Sequence, residues 1–357
     1  MLVMEDGRTV GSVSGGCLES DVVERAHRVM MSHAPVLETY DTTGDDDILM
    51  GLGMGCRGVV DILVEPLNAS SGAAMAAVCE SLTRGEAVAM ATVLQSGGDC
   101  GFSIGDRVTL GSGGIVSCFA RGNTRGEPLS AALADTLAAG SSWRRMAAGG
   151  AGIDVFLELL EPPLPLVIFG AGNDAQPLAR FAAGIGWRVI VADGRSAYAT
   201  PQRFREADTI IVSDPETMAE NIALEARSAA VLMTHNYLRD ALLLETLIAS
   251  PVRYIGILGS RRRTESLLLD LARRGIYDPS VHGGRIHGPV GLDIGADTPE
   301  TIAVAIVAEI QAVFARRAGG SLRDGAAEDY AAPSNSGRSS TAVGDPERAP
   351  FTCALTA

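Results

Sequence analysis

Two cysteines in glycine-containing segments are the side chains best suited to chemistry in this sequence. Cys17 ends the run Ser14-Gly15-Gly16-Cys17, and Cys56 follows a glycine within the glycine-rich segment 41–58. Small neighbouring side chains leave a thiol exposed, and nearby backbone N–H groups favour its nucleophilic thiolate form. Neither cysteine has a CxxC neighbour or a nearby pair of histidines, so we expect no zinc site. Cys17 and Cys56 are therefore the candidate catalytic residues, with a structural role as the alternative for each.

The second candidate site is a glycine turn between an apolar strand and a helix. Gly170 and Gly172 directly follow the apolar run 166–169, and Asp193 ends the next predicted strand about 20 residues later. The first glycine permits a tight turn, and the second lets a phosphate approach the helix N-terminus, where Asn173 offers a further hydrogen bond. The acid then bonds a ribose hydroxyl. The pattern predicts a nucleotide site of Rossmann type, and a turn kept only for packing is the alternative.

Four more polar residues follow predicted strands further along the chain. They are Asp214, His235, Ser260 and Arg261. Ligands bind outside the carboxyl ends of parallel strands, so we expect these side chains to join the glycine turn in one cofactor site. His235 could act as a base or only bond backbone at a strand end. Arg261, the first of three successive arginines, could clamp a phosphate or lie in solvent at the start of a helix.

The composition is that of an acidic globular protein without lysine. The chain has 357 residues and a net charge of −14, and all 29 of its lysine-or-arginine positions are arginine. This charge argues against nucleic acid or an anionic membrane as a partner, and the lack of lysine excludes a Schiff base or a Walker lysine. No apolar run is long enough to span a membrane. Six cysteines in a chain of this size indicate a reducing, cytoplasmic setting.

Alternating strands and helices predict an α/β protein of two domains. The Pro-rich segment 162–165 is a stiff connector between an N-terminal α/β domain, residues 1–161, and a doubly wound parallel sheet of Rossmann type, residues 164–318. Residues 319–357 are Ala, Gly, Ser, Pro and charge without periodicity, which predicts a disordered tail. Within the second domain we expect residues 285–295 to form a loop.

In the first domain, the local pattern places Cys17 just before a helix. Alternation and an Asp-Gly turn predict a hairpin over residues 1–13. A helix is predicted over 19–31 and a strand over 59–64. A helix N-terminus next to the Cys17 segment directs free N–H groups towards it.

Five segments of the chain together resemble the XdhC/CoxI family. They occur in the family's order over nearly the whole chain except the tail, which makes the resemblance specific. The segments are GSVSGGCLES at 11–20, GLGMGCRGVVDILVEP at 51–66, LVIFGAGNDAQPLA at 166–179, YIGILGSRRR at 254–263 and RIHGPVGLDIGADTPETIAVAIVAEI at 285–310.

The resemblance implies an accessory factor that matures molybdenum hydroxylases such as xanthine dehydrogenase and carbon monoxide dehydrogenase. Such a factor binds the molybdopterin-type molybdenum cofactor, whose dinucleotide form is one option. It helps the cofactor acquire a terminal sulfur with a cysteine desulfurase and delivers it to the large subunit of the apoenzyme. The family's loop cysteine falls on Cys17. This role is that of a cofactor-binding chaperone more than of an enzyme, and a homodimer is compatible with it.

Two features depart from the family pattern. The family usually has a further strand before the position of Met1, so we expect the first domain to lack its first strand. The turn that commonly reads GAGH in the family reads Gly170-Ala171-Gly172-Asn173 here, which replaces an ionisable ring by an amide.

Two other classes of function stay open on the residues alone. One is an NAD(P)-dependent oxidoreductase that uses the Rossmann domain, and the other is a nucleotide-responsive regulatory protein without chemistry. A simple dehydrogenase would not need Cys17 and Cys56, which lie outside that domain. If a nicotinamide cofactor binds, Asp193 predicts NAD rather than NADP, because an acid repels a 2′-phosphate. Arg195, two positions on, could instead accept that phosphate.

Overall fold

A computed structural model describes residues 1–41, 59–97, 101–111, 113–119, 127–148 and 151–324. Cys56 and the predicted tail beyond residue 324 lie outside these ranges, and the described start of that tail contains a short 3-10 helix, Leu322–Asp324. The chain divides into two compact units, one ending at Pro162 and the other beginning at Pro163. Within the described ranges, no helix combines the length and apolar character needed to cross a bilayer.

The N-terminal unit begins with the hairpin and helix that flank Cys17. Strands β1 (Leu2–Val3) and β2 (Thr9–Val10) pair antiparallel, and Gly7 adopts a φ of 82° in the turn between them. Helix α1 (Glu19–Ser32) follows. The structure confirms the predicted hairpin and helix. Both were predictable because a glycine turn and an apolar stripe are patterns within a single segment of sequence.

Helix α1 packs against a small antiparallel sheet. Strands β3 (Val36–Asp41) and β4 (Val59–Val64) pair over their full length, with Val36 opposite Val64. One face of the helix and the end of β4 form a core of Leu18, Val22, Ala26, Val29 and Val64.

The rest of the N-terminal unit is an antiparallel sheet covered by helices. Its five described strands run in the order β7-β6-β5-β9-β8. The core between the sheet and helix α3 contains alternate residues of β5 and β9 together with Leu129 and Leu133. The elements are α2 (Ala69–Thr83), β5 (Val88–Ser96), β6 (Arg107–Gly111), β7 (Gly114–Phe119), α3 (Glu127–Ala139), β8 (Ser142–Ala148) and β9 (Ala151–Leu160).

The C-terminal unit is a doubly wound parallel sheet, as predicted. Over residues 163–324, all described, six strands pair in parallel in the order β12-β11-β10-β13-β14-β15. The last strand lies in the segment 285–295 that was predicted as a loop. That prediction was wrong because a two-residue strand in a polar, glycine-rich context leaves no periodic pattern. The strands are β10 (Pro165–Phe169), β11 (Arg188–Asp193), β12 (Thr209–Val212), β13 (Ala229–Leu232), β14 (Tyr254–Ile257) and β15 (Ile286–His287).

Helices cover both faces of this sheet, which explains why its central strands are apolar throughout. Leu166 and Ile168 of β10 face a core shared with α4 and α9, whereas Val167 and Phe169 face one shared with α6 and α7. The helices are α4 (Ala175–Gly184), α5 (Pro215–Met218), α6 (Tyr237–Ala249), α7 (Arg261–Arg273), α8 (Pro279–His282) and α9 (Pro299–Phe314).

A partly buried polar cluster connects α9 to the edge of the sheet. The Glu309 carboxylate of α9 accepts hydrogen bonds from the Gly291 N–H, at 2.9 Å, and from the Tyr254 hydroxyl. The Tyr254 ring stacks on His287 with 4.3 Å between centroids. One carboxylate thus links the last helix to β14 and to the chain that leaves β15.

Candidate functional site

The glycine turn connects the carboxyl end of β10 to α4. Gly170 adopts a φ of 118°, and its N–H donates to the Ala192 carbonyl on β11 at 2.8 Å. A Cβ on Gly170 would lie 2.4 Å from the carbonyl oxygen of Met233, which follows β13. A Cβ on Gly172 would meet a side chain instead, the Asp174 carboxylate at 2.4 Å. Glycine is thus required at position 170 because the backbone passes closely between β11 and the end of β13. Gly172 lies next to the Asp174 side chain, which can rotate away.

Asp193 closes the turn from the end of β11. One carboxylate oxygen accepts the Ala171 N–H at 2.7 Å and Arg195 Nη2 at 2.7 Å. The other accepts the Arg195 N–H at 2.8 Å and Arg195 Nε at 2.9 Å. Burial alone would raise the pKa of Asp193, but the hydrogen bonds from Arg195 and Ala171 together more than offset it and lower that pKa. The carboxylate is therefore ionised and held by a guanidinium fork.

Two arginines and a tyrosine border the turn on the β11 side. The guanidinium carbon of Arg195 lies 4.2 Å from the centroid of the Tyr198 ring, and that of Arg203 lies 5.2 Å from it. Arg203 Nη2 donates to Asn173 Oδ1 at 3.0 Å and to the Ala171 carbonyl at 3.3 Å. The predicted residue Asn173 is thus oriented by an arginine that sequence reasoning did not identify.

His235 and Asp174 bond across the ends of β13 and β10. His235 Nε2 lies 2.6 Å from Asp174 Oδ2, and His235 has a φ of 55°, a left-handed conformation that is uncommon for residues other than glycine. The sheet changes winding direction between these two strands, which is where ligands bind in this architecture. The structure thus brings an exposed imidazole and a carboxylate together at that point of the sheet.

Arg239 is a further cation at this edge that sequence reasoning missed. It lines a narrow crevice together with Gly170, Asp193 and Thr234. Within residues 163–324, no acidic side chain forms an ion pair with Arg239. The available signal was its position just inside α6, since the start of that helix follows the carboxyl end of β13.

Three other predicted residues lie at the same edge of the sheet but not in the turn. Asp214 is exposed and precedes α5, and its side chain does not cap that helix. Ser260 caps α7 by accepting the Arg263 N–H at 3.3 Å, and Arg261 is exposed in the first turn. No hydrogen bond in the described part of the chain joins Asp214, Ser260 or Arg261 to the glycine turn.

Cys17 is an exposed free cysteine in the segment before α1. Gly16 precedes it with a φ of 116°, and Leu18 follows it in the buried core. The Glu19 carboxylate folds back onto the segment, where it accepts the Ser14 N–H at 2.8 Å and the Ser14 hydroxyl at 2.6 Å. These bonds lower the pKa of Glu19 to about 2. The structure thus presents the Cys17 thiol on an anchored segment, whereas Cys56 lies outside the described residues.

The strand order, the glycine turn and the polar carboxyl edge define the C-terminal unit as a Rossmann-type domain. Comparison with known proteins agrees with this class for the C-terminal unit and also matches the N-terminal segment of the chain. Residues 166–310 match the XdhC Rossmann domain, and residues 1–41 match the XdhC and CoxI family. The chain belongs to the XdhC and CoxI family, and the resemblance drawn from its motifs is confirmed.

Similar proteins cover most of the chain. A probable xanthine dehydrogenase subunit of Bacillus subtilis is 34% identical over 310 residues, which are 87% of this chain and 86% of that protein. A crystal structure of a xanthine dehydrogenase from Bacillus halodurans superposes with a TM-score of 0.70 at 29% identity, covering 90% of this chain and 87% of that one. The uncharacterized protein YqeB of Escherichia coli is 32% identical over 172 residues, 48% of this chain and 31% of that protein.

Proposed function

We propose that this protein is an accessory factor that binds a molybdopterin-type molybdenum cofactor, assists its sulfuration and delivers it to an apo-molybdenum hydroxylase of the xanthine dehydrogenase or carbon monoxide dehydrogenase type. The observation that carries the proposal is the exposed Cys17 thiol, held on an anchored segment within the stretch that matches the XdhC and CoxI family. The name of the Bacillus subtilis relative supports a client of the xanthine dehydrogenase type.

The residues present suit such a ligand. The cofactor carries phosphate, and the glycine turn offers backbone N–H groups at a helix N-terminus, with Arg203 and Arg239 beside it. Neither arginine forms an ion pair with an acid in the described part of the chain. In the N-terminal unit, considered by itself, the Cys17 thiolate is a soft ligand, which suits a metal centre that carries sulfur. When bound in its client, the molybdenum centre supplies the redox chemistry of hydroxylation.

Cys17 would act in sulfur transfer as a nucleophile. Its thiolate attacks the outer sulfur of a persulfide on the cysteine desulfurase. The S–S bond of the donor breaks, the donor cysteine leaves as a thiolate, and Cys17 then carries the outer sulfur as a persulfide. No oxidant or reductant is consumed in this exchange, and exposure of the thiol gives the partner access to it.

The test is reconstitution of an apo-hydroxylase with cofactor, a cysteine desulfurase, cysteine and either form of the protein. Cys17→Ser keeps size and polarity but removes the nucleophilic sulfur, so we expect a folded protein that no longer activates the client. Cys79→Ser is the matched control, because Cys79 is also an exposed free cysteine of the N-terminal unit. Full activation by folded Cys17→Ser would show that the thiol is only structural.

A further inference from the structure

The acid that this fold uses for a ribose diol has no hydrogen-bonding capacity left. Asp193 accepts four hydrogen bonds, one from Ala171 and three from Arg195, and only 4% of its surface is exposed. A carboxylate has about four lone-pair positions. A ribose with two free hydroxyls would therefore have to displace the Arg195 fork in order to donate to Asp193.

The Arg195 guanidinium lies beside Asp193 and keeps N–H groups that do not donate to it. Its Nε and Nη2 bond Asp193, whereas Nη1 has no hydrogen-bond partner among the described residues. Its side chain is 40% exposed and lies against the face of Tyr198. This contact and the fork to Asp193 hold the guanidinium in place, so little side-chain entropy is lost when it binds an anion.

The guanidinium of Arg203 also lies near the Tyr198 ring and adds a second positive charge there. Its N–H groups donate to the Tyr198 and Ala171 carbonyls and to the Asn173 amide oxygen, all of which are neutral. No acid in the described part of the chain pairs with Arg203. Asp193 neutralises one of the two arginines, and the corner beside the glycine turn keeps one uncompensated positive charge.

We propose that this corner, formed by Arg195, Tyr198 and Arg203, binds the phosphate monoester of a 2′-phosphorylated ribose. The dinucleotide taken by the Rossmann-type domain is then of the NADP class, the reverse of what the acid at Asp193 alone predicts. The Arg195 guanidinium bonds the Asp193 carboxylate and so prevents a ribose with two free hydroxyls from bonding it. The remaining N–H groups of the same guanidinium can donate two hydrogen bonds to a phosphate. The inference rests on the proposed binding of phosphate at the glycine turn, where an NADP-class dinucleotide and the molybdenum cofactor would exclude one another, and it is independent of the role of Cys17.

The experiment is titration calorimetry of the full chain with NADPH, NADH, adenosine 2′,5′-bisphosphate and AMP. We expect NADPH to bind at least about tenfold tighter than NADH, as a hydrogen-bonded charge pair provides. Adenosine 2′,5′-bisphosphate should likewise bind more tightly than AMP, which would assign the preference to the 2′-phosphate of the ribose. Equal or tighter binding of NADH, or no binding of either dinucleotide, would overturn the proposal.

Two variants assign the preference to the corner. Arg203→Ala leaves the Asp193–Arg195 pair intact and should reduce NADPH affinity about tenfold more than NADH affinity, since the contact with Asn173 at the turn is shared by both dinucleotides. Arg195→Ala frees Asp193 and should shift the preference towards NADH, with the melting temperature measured to verify folding. Arg180→Ala is the control, since Arg180 is an exposed arginine stacked on Phe181 within α4. An unchanged preference for NADPH over NADH in both folded variants would contradict the assignment. The client activation assay with Cys17→Ser tests the proposed function separately, so its result does not depend on this one.

Discussion

Glu19 anchors the segment that carries Cys17 through three hydrogen bonds. Besides Ser14 it accepts the Val13 N–H at 3.2 Å, so one carboxylate satisfies the backbone before α1. The Ser14 hydroxyl in turn accepts the N–H groups of Gly16 and Leu18. The exposed thiol thus lies within a hydrogen-bonded segment whose centre is an ionised carboxylate.

This arrangement has a defined pH dependence. The pKa of Glu19 falls from 4.5 to about 2 in the folded protein, first because of the Ser14 hydroxyl and then because of the Ser14 N–H. A depressed folded-state pKa stabilises the fold fully above 4.5 and loses that effect as the pH falls through about 2. We expect the Glu19 carboxyl signal to titrate near 2 by NMR, and Ser14→Ala to move the midpoint back towards 4.5. A midpoint near 4.5 in the parent protein would contradict the geometry.

The two glycines of the turn should respond differently to the same substitution. Gly170→Ala places a Cβ against a backbone carbonyl at a residue with positive φ. We therefore expect the free energy of unfolding to fall by about 1–3 kcal/mol. Gly172→Ala meets only the Asp174 side chain, which can rotate, and should cost less than about 1 kcal/mol while disturbing the pair with His235. Urea unfolding of both variants measures the difference. Equal losses would show that the turn is not built as described.

At this scale the sequence predicts positions better than partners. The place of Asp193 at the end of β11 follows from spacing, but its bonds to Ala171 and Arg195 depend on side-chain conformations that spacing does not encode. Arg203 contacts Asn173 across 30 residues of chain, a pairing that no local pattern signals. Whether the predicted residues bind ligand stays a prediction for the experiments above.

At the scale of elements, an ion pair between a buried acid and a partly buried arginine joins α6 to α7. The carboxylate of Asp240 is buried, and it accepts Arg263 Nη2 at 2.7 Å and the Thr234 hydroxyl at 2.5 Å. Arg263 also donates to the Leu258 carbonyl at 3.3 Å. The third of the three successive arginines therefore has a structural position, and only Arg261 and Arg262 are exposed at the start of α7.

Removing the acid of this pair should destabilise the C-terminal unit. Asp240→Ala leaves Arg263 partly buried without its counter-charge, so we expect the free energy of unfolding to fall by about 3–5 kcal/mol. Arg262→Ala, on the exposed side of the same helix turn, should change it by less than about 0.5 kcal/mol. Denaturant titration of both variants is the measurement. A loss below about 1 kcal/mol for Asp240→Ala would mean that the pair contributes as little as a surface salt bridge.

Elements with a strong periodic pattern were predictable, and short or polar ones were not. Strands β10 and β11 and the helix between them follow from apolar runs and a glycine turn. Strand β15 has two residues, and its place in the sheet depends on pairing with β14 through Ile255 and Ile286. Strand β3 likewise depends on β4, its partner further along the chain. Such pairings are tertiary contacts, and local propensity does not determine them.

At the scale of the whole molecule, the charge of the candidate site opposes that of the chain. The protein carries a net charge of −14, yet Arg203 and Arg239 lie beside one glycine turn without an acidic ion-pair partner in the described part of the chain, whereas Arg195 pairs there with Asp193. We expect the two unpaired arginines to attract small phosphates at this edge, while the net charge of the chain disfavours long polyanions. The sequence predicted the overall sign, but the local reversal arises only when the strand ends come together.

The contact between α4 and α9 has a consequence for how the protein is made. Helix α4, which begins at the glycine turn, shares its core with Ile306 and Ile310 of α9, the last α-helix of the described chain. During synthesis from the N-terminus, the turn therefore emerges well before the helix that covers its face of the sheet. Until α9 leaves the ribosome, Leu166, Ile168 and Leu178 lack its cover on that side. A ligand site that depends on the turn can become functional only after α9 has emerged, and a chain cut short before α9 would expose apolar surface instead of a finished site.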